Sequence, residues 1–151
     1  MPARPPLVLS EESLGAWLLK TDPRGTSVAD LLAGGLARVA TRCVRRSYRT
    51  DLIAPGQPVL LWVSGGDRRH PAGLYAQGRT TGPATTDDEG QLVMPLALEA
   101  LPEPVLRDEL LEHPELSRAE VIRMPAGSNP SYLSGAQLDA LRQTWPQVTF
   151  G

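Results

Sequence analysis

The chain has 151 residues, of which 41% are hydrophobic, and its formal net charge is −2. This length and composition suit a single folded domain and argue against disorder, while the lone Cys43 excludes an internal disulfide. No apolar run approaches the roughly 20 residues of a membrane helix, and the N-terminal residues lack a secretory core. We therefore expect a cytoplasmic protein without a membrane partner.

Charge is divided unevenly along the chain. Residues 1–82 contain eleven Lys or Arg and six Asp or Glu, whereas residues 83–151 contain four and eleven. The first part thus carries +5 and the second −7. Such a division is compatible with a polyanion site on one face, although scattered solvated side chains would give the same totals. Lys20 is the single lysine among fifteen cationic residues.

Local patterning predicts the first elements. Residues 1–13 are Pro-rich and then polar, so we expect a flexible arm. The apolar segment 16–20 predicts a strand. A short helix ending at Leu32 follows, capped by Thr26 or Ser27.

The middle of the chain alternates strand and helix patterns. Residues 36–44 indicate a strand or a strand-like edge, and residues 45–53 have the spacing of a short helix. The apolar run 59–63 predicts a strand buried on both faces. Residues 73–77 predict the next strand, with Gly78 as a bulge or a point of close backbone approach.

The acidic segment 85–90 predicts a hairpin tip before a strand over 92–98, in which Pro95 indicates an edge position or a bulge. The remaining predictions are a helix over 105–111, a last strand over 120–124 and a closing helix over 135–145 capped by Ser134. These elements predict an α+β fold. Its curled or barrel-like sheet has about five or six strands flanked by short helices, in one domain over residues 14–151.

Familiar catalytic and metal-binding patterns are missing from the sequence. His70 and His113 have no second histidine or cysteine at ligand spacing, so we expect no metal site. No phosphate-loop or dinucleotide-binding glycine motif occurs, so we expect no cofactor. Cys43 lies among arginines that could activate it, but no base is placed beside it and an inert thiol is the simpler interpretation.

Aromatic residues on two strands are candidates for a ligand pocket. Trp17 and Trp62 lie in the two strongest strand segments, and each is followed within three residues by a polar group, Lys20 or Ser64. They could form the aromatic wall of a pocket with polar groups at its rim. Burial in the core is the alternative for both tryptophans.

The segment Arg45, Arg46, Ser47, Tyr48 and Arg49 surrounds an aromatic ring with cationic side chains. Arginines suit a phosphate backbone, and a tyrosine ring suits a stacked base. Both therefore favour nucleic acid as the partner. The alternative is an exposed helical turn that is anchored by its tyrosine.

The loop over residues 126–133 is rich in short polar side chains. Pro130 favours an extended backbone at Asn129, which can fix the direction of its amide. We expect this loop to border the pocket, with Asn129 offering a donor and an acceptor to a base edge. The alternative is a turn closed by Ser128 and Asn129 over Tyr132.

The order of these segments resembles the EVE domain, a member of the PUA-like superfamily related to YTH and ASCH domains. Residues 15–23 resemble its aromatic strand with a lysine followed by a proline, and residues 46–49 with Leu52 resemble its Arg-Asn-Tyr segment. Further similarity lies in the segments 55–62, 71–78, 121–124 and 134–138. Ser47 stands where the family usually has asparagine, and Gln57 where aspartate is common.

The resemblance implies a PUA-like small mixed β-barrel with a pocket for a base, often a modified one, in DNA or RNA. We expect a non-catalytic reader of a flipped base, with Trp17, Lys20, Arg45, Arg46, Ser47, Tyr48, Arg49, Trp62, Ser64 and Asn129 as ligand-binding residues. The alternative is an ASCH-like ribonuclease or nucleoside-amide hydrolase that uses Lys20 as base or nucleophile.

Overall fold

The computed structural model describes residues 8–21, 28–65 and 68–150, and the predicted helix cap at Thr26 or Ser27 lies outside these ranges. They form an α+β fold in which short helices flank a curled, barrel-like sheet. The strands are β1 Leu14–Thr21, β2 Thr41–Cys43, β3 Pro58–Val63, β4 Gly73–Thr80, β5 Thr85–Thr86, β6 Leu92–Leu106 and β7 Ser131–Ser134.

The helices are short. They are α1 Val28–Leu32, α2 Arg107–Leu111, α3 Glu120–Arg123 and α4 Gly135–Thr144, and three 3₁₀ turns cover Gly35–Arg38, Tyr48–Leu52 and Leu116–Arg118. Within the described ranges no helix has the length and apolarity needed to cross a bilayer. Ser134 caps α4 as predicted, since its hydroxyl accepts from Gln137 N at 3.2 Å and the Gln137 side chain accepts from Ser134 N.

The strands are ordered β2-β6-β4-β3-β1-β7 across the sheet, and β5 pairs with β6. The β1–β3 pair is parallel, with Trp17 opposite Val59, and the other pairs are antiparallel. β1 and β3 both lie in the interior of this order, and they are the two apolar runs in which the sequence predicts strands. A parallel pair that is covered on both faces explains why both runs are apolar throughout.

Each face of the sheet covers its own core. Leu18, Leu60 and Trp62 belong to the cluster under α4 and the C-terminal residues, whereas Trp17 and Leu61 belong to the cluster on the opposite face. Alternation along a strand sends neighbouring side chains to opposite faces, so both clusters draw on β1 and β3.

Gly78 lies where β4 passes close to β6, as predicted. A Cβ at this position would collide with the carbonyl oxygen of Ala97 on β6. The absence of a side chain therefore permits the pairing of Gly78 with Leu98. Pro95, however, does not lie on an edge strand, because β6 has β2 on one side and β4 on the other. It lies just past Leu96, the last partner of β4, where it pairs with Thr41 of β2 and its carbonyl oxygen accepts from Thr81 N at 3.0 Å.

Three predicted segments differ from the structure. Residues 36–44 form a 3₁₀ turn and the three-residue β2, not one strand. In the segment 120–124 the structure has α3 over Glu120–Arg123 instead of a strand, because an apolar pair such as Val121 and Ile122 does not distinguish the two periods. The last strand is β7, whose first three residues belong to the segment 126–133 that the sequence assigns to a loop.

One residue in the described part of the N-terminal segment packs in the core. Leu9 is 3% exposed and belongs to the cluster that contains Trp17, whereas Val8 and residues 10–13 are exposed. Ser10 and Ser13 close a turn through their backbone and hydroxyl groups, and Ser13 O accepts from Gly135 N at 3.1 Å. Residues 1–7 lie outside the described ranges.

Candidate functional site

An open cleft lies between residues 45–49 and the chain that runs from α3 into β7. Its volume is about 330 Å³, at the lower end of the range of small-molecule sites. The residues that line it are Arg45, Arg46, Ser47, Tyr48, Arg49, Glu120, Met124, Gly127, Ser128, Asn129 and Pro130. Six of the ten ligand-binding residues proposed from the sequence line this cleft. The other four, which do not line it, are Trp17, Lys20, Trp62 and Ser64.

The first wall begins where Ser47 caps the 3₁₀ turn Tyr48–Leu52. The Ser47 hydroxyl accepts from Arg49 N at 3.2 Å, and Thr50 Oγ1 donates to Ser47 O at 2.8 Å. Just before this turn, Arg45 N donates to Asn129 O at 2.8 Å, which joins the two walls at one end of the cleft. The Ser47 side chain is thus used to cap the turn.

Arg49 and Glu120 join the walls at a second point. Arg49 Nη1 lies 2.8 Å from Glu120 Oε1, and Arg49 Nη2 lies 2.7 Å from Oε2, a bidentate ion pair. Arg49 also donates to Pro130 O at 3.2 Å and stacks 5.0 Å from the centre of the Tyr132 ring. Ser131 Oγ donates to Glu120 Oε1 at 2.9 Å. Arg49 is therefore a clamp between the walls, and its charge is already matched.

Both members of this pair are held in their ionised forms. The hydrogen bond to Glu120 raises the pKa of Arg49 further above its ordinary value. Burial alone would raise the pKa of Glu120, but hydrogen bonds from Arg49 and Ser131 outweigh it, and the net pKa lies below the usual one. The pair is consequently charged throughout the neutral range.

The chain from α3 into β7 forms the second wall of the cleft. Lys20 lies behind this wall and is not one of the residues that line the cleft. Its ammonium donates to Met124 O at 3.1 Å and to Gly127 O at 2.8 Å, and Gly127 N closes the turn onto Met124 O at 3.0 Å. Burial lowers the pKa of Lys20, and the nearby Glu120 carboxylate opposes that shift. In this position the lysine fixes the turn 124–127 to the end of β1.

Asn129 uses its whole amide on the backbone of Lys20. Oδ1 accepts from Lys20 N at 2.8 Å, and Nδ2 donates to Lys20 O at 3.1 Å. The loop borders the cleft. The Asn129 amide is not available to a ligand, and it does not close a turn over Tyr132, which was the alternative. It continues the pairing of β1 beyond the point where β7 begins.

The remaining candidates lie away from the cleft. Trp17 and Trp62 are 0% and 4% exposed, on opposite faces of the sheet, which is the core position that the sequence left as the alternative. Trp17 Nε1 donates to Gln57 Oε1 at 2.7 Å. Ser64 Oγ donates to Thr21 O at 3.3 Å at the end of β3. None of these side chains lines the cleft, so an aromatic wall built from the two tryptophans is not what the structure contains.

Two large apolar side chains in the cleft are unusually exposed. Tyr48 is 48% exposed and Met124 57%, and they are two of the four exposed large hydrophobic residues in the described ranges. The Tyr48 hydroxyl accepts from Leu9 N at 3.1 Å, which holds the ring at the base of the N-terminal segment. The sequence did not indicate Met124, because the pattern placed this residue in a short strand.

Glu120 was also missed, because the sequence offers no sign that a residue 71 positions away would pair with Arg49. Neither Gly127 nor Ser128 was proposed, although both fall in the loop singled out for its polar residues. No group of three or more His, Cys, Asp or Glu side chains is arranged as a metal site in the part of the chain that the structure describes.

Several solved structures have a similar fold. The NMR structure of a Rhodopseudomonas palustris protein has a TM-score of 0.66 at 13% identity, covering 90% of this chain and 96% of that one. A hypothetical protein from Leishmania major has a TM-score of 0.63 at 17% identity, covering 89% and 96%. An Agrobacterium tumefaciens protein has 0.65 at 16%, covering 85% and 91%. These identities show the fold alone. No protein-family model and no curated protein matches the chain.

Proposed function

We propose that the protein is a non-enzymatic nucleic-acid-binding module that holds a flipped, modified base in the cleft between residues 45–49 and 124–130. One observation carries this proposal: an exposed aromatic ring and an exposed thioether lie in the same cleft as two arginines that form no salt bridge with any described residue. Such a combination fits a ligand with a flat apolar face and a phosphate.

The apolar part of the site would be Tyr48 and Met124. A water-exposed ring and thioether gain free energy when a flat ring covers them, and stacking on an aromatic side chain contributes about 1–3 kcal/mol per base. Removal of a base from its helix costs a few kcal/mol. The two contacts would offset a large part of that cost.

The phosphate contacts would come from Arg45 and Arg46. Both are exposed, and within the described residues neither forms a salt bridge. Arg45 Nη1 approaches only Ser128 Oγ, at 3.4 Å. Arg49, which the sequence suggested as a ligand contact, is not assigned one here, because both terminal nitrogens of its guanidinium donate to Glu120.

The remaining candidates would hold the walls in place. Lys20 and Asn129 fix the turn 124–127 and the following residues to β1, and Arg49 joins the 3₁₀ turn to α3. A site whose walls are held in the free protein loses less conformational entropy when a ligand binds. The curled sheet with short flanking helices is compatible with a PUA-like fold, and membership of the EVE family belongs to this proposal.

Fluorescence anisotropy with labelled single-stranded DNA and RNA tests the proposal directly. Matched oligonucleotides would carry either an unmodified base or one of 5-methylcytosine, 5-hydroxymethylcytosine and N6-methyladenine. We expect saturable binding that Tyr48→Ala and Met124→Ala weaken and that Leu111→Ala, an exposed site outside the cleft, leaves unchanged. If no oligonucleotide binds, or if both cleft variants bind like the unaltered protein, the proposal is wrong.

A hydrolase that uses Lys20 is the second candidate, and the lowered pKa of this lysine favours it. The ammonium donates to two backbone carbonyls, which directs it away from the cleft lining. Ribonuclease and nucleoside-amide assays distinguish the two functions. Turnover that is lost in Lys20→Ala and retained in Ser64→Ala would favour the enzyme.

A further inference from the structure

The edge of the sheet next to the cleft carries arginines that the base site does not use. The 3₁₀ turn Gly35–Arg38 leads into β2, the terminal strand of the sheet, and β2 leads through Val44 to Arg45 at the cleft. Arg38 is exposed and Arg42 half-buried. These two side chains therefore lie along the same stretch of chain that enters the cleft.

This stretch is free of acidic residues. Between Asp30 and Asp51 the sequence contains five arginines and no carboxylate. In the described ranges only Arg49 among the five forms a salt bridge. The residues of β6 that pair with β2 are Val93, Met94 and Pro95, which are uncharged. The positive charge of this edge is consequently not neutralised by its neighbouring strand.

An extended chain advances about 3.3 Å per residue, so Arg42 and Arg45 lie within roughly 10 Å of each other along the backbone. The Debye length is about 10 Å at 0.1 M salt. At this backbone separation salt does not fully screen the positive charges from one another, so their fields overlap along the edge. A single nucleotide in the cleft would use only Arg45 and Arg46, whereas a strand that continues along β2 would also reach Arg42 and Arg38.

Acidic residues flank this stretch at both ends. Asp30 in α1 lies against Gly35, at the start of the 3₁₀ turn. The turn 87–90 precedes β6, and in it Asp87 Oδ1 accepts from Glu89 N and Gln91 N, both at 2.9 Å. Among the described residues this carboxylate forms no salt bridge with an arginine, and it closes its own turn. A bound strand is therefore expected to leave the cleft toward the 3₁₀ turn Gly35–Arg38, away from the acidic turn.

We propose that Arg38 and Arg42 bind the phosphates of nucleotides that flank the one in the cleft, so that the ligand is a single-stranded stretch of polynucleotide and not a free nucleotide. This inference rests on the proposed function. Each added phosphate contact releases counterions, which makes the affinity for longer strands depend more steeply on salt.

The test compares a labelled dinucleotide with labelled 4-mer and 8-mer oligonucleotides of mixed sequence, each titrated at several NaCl concentrations. The unaltered protein should bind the 8-mer on the order of tenfold more tightly than the dinucleotide. Arg38→Gln/Arg42→Gln should abolish that gain, leave dinucleotide binding unchanged and reduce the slope of log K against log salt by about 1.4, or 0.7 per lost phosphate contact. Arg118→Gln/Arg142→Gln, which removes two exposed arginines outside the cleft, is the control for net charge, and Arg142→Gln alone is the control for a single substitution.

Two results would overturn this inference alone. One is an affinity that does not increase with the length of the oligonucleotide. The other is an Arg38→Gln/Arg42→Gln variant that binds the 8-mer as tightly as the unaltered protein or as the Arg118→Gln/Arg142→Gln variant does. Failure of every length, including the dinucleotide, to bind would overturn the proposed function as well. If the double variant also loses dinucleotide binding, the single exposed substitution Arg38→Gln serves for the same comparison. Equal losses for both lengths in that variant would contradict a flanking role.

Discussion

Asn129 and Lys20 exchange two hydrogen bonds, in which the amide side chain of one residue pairs with the backbone N–H and C=O of the other, at 2.8 and 3.1 Å. The two residues are 109 positions apart. Just before β7 begins, the Asn129 side chain therefore forms the hydrogen bonds to β1 that the backbone of a neighbouring strand would otherwise form. The position of the second wall of the cleft therefore depends on the end of β1.

Asn129→Ala should lower the stability of the protein. The substitution leaves a backbone donor and a backbone acceptor of Lys20 without their partner, and such a loss costs about 1–3 kcal/mol. Urea unfolding followed by fluorescence measures the change. Ser128→Ala, at an exposed neighbouring position, should change stability by less than about 0.5 kcal/mol. Equal stability of the two variants would show that the amide pair contributes nothing.

Lys20→Met should loosen the turn 124–127 without removing any side chain from the cleft. The thioether keeps the apolar stem, but Gly127 O loses the lysine donor and Met124 O keeps only the bond from Gly127 N. We expect faster hydrogen exchange at the amides of residues 124–129 and weaker oligonucleotide binding, with exchange in β3 unaffected. Unchanged exchange in the turn would contradict the positioning role of the lysine.

The Arg49–Glu120 pair gives the stability a defined dependence on acid. The net pKa of Glu120 in the folded protein is lowered: burial raises it, but the bonds from Arg49 and Ser131 prevail. The resulting stability is therefore complete above the unfolded pKa of about 4.3 and is lost as the pH falls through the lower folded value. Glu120→Gln should remove this dependence below about pH 4.3 and cost about 1–3 kcal/mol at neutral pH.

Denaturant unfolding between pH 3 and pH 7 measures this difference. Glu112→Gln, an exposed glutamate at the end of α2, is the matched control and should keep the acid dependence of the unaltered protein. A Glu120→Gln variant whose stability still falls in parallel with the unaltered protein would show that other carboxylates cause the acid loss.

Substitutions of Tyr48 separate its ring from its hydroxyl. Tyr48→Ala should weaken oligonucleotide binding by about 1–3 kcal/mol, the contribution of one stacked base. Tyr48→Phe should retain most of the affinity, because it loses only the acceptor for Leu9 N. Anisotropy titrations of the three proteins measure the effect. A larger loss for phenylalanine than for alanine would indicate that the hydroxyl, and not the ring, contacts the ligand.

The sequence predicts the elements whose signals are local. The apolar runs of β1 and β3, the capping residue Ser134 of α4 and the close approach at Gly78 follow from side-chain pattern, cap chemistry and glycine geometry. Residues 120–124 were predicted as a strand and residues 126–133 as a loop, whereas α3 covers Glu120–Arg123 and β7 covers Ser131–Ser134. The difference depends on which segment pairs with β1. That information lies in the tertiary fold.

In the cleft, too, the sequence predicts what is local along the chain and not what depends on distant contacts. The segment from Arg45 to Arg49 was predicted as one group and lines the cleft together. The roles within the group were not predictable, since Arg49 became a clamp only through Glu120, far away along the chain. Trp17 and Trp62 show the limit of residue type as a guide, because an aromatic side chain on a central strand packs in the core whether or not a ligand site is nearby.

The most direct test of the central claim is a ¹H–¹⁵N NMR titration of this 16.3 kDa protein with a single-stranded 8-mer that contains 5-hydroxymethylcytosine. We predict saturable shift changes at the amides of residues 45–49 and 124–130, extending along β2 toward Arg38, while residues 139–149, which do not line the cleft, stay unchanged. Absence of shifts with this strand and with matched strands that carry 5-methylcytosine, N6-methyladenine or no modification would contradict the account, and so would shifts confined to residues outside the cleft.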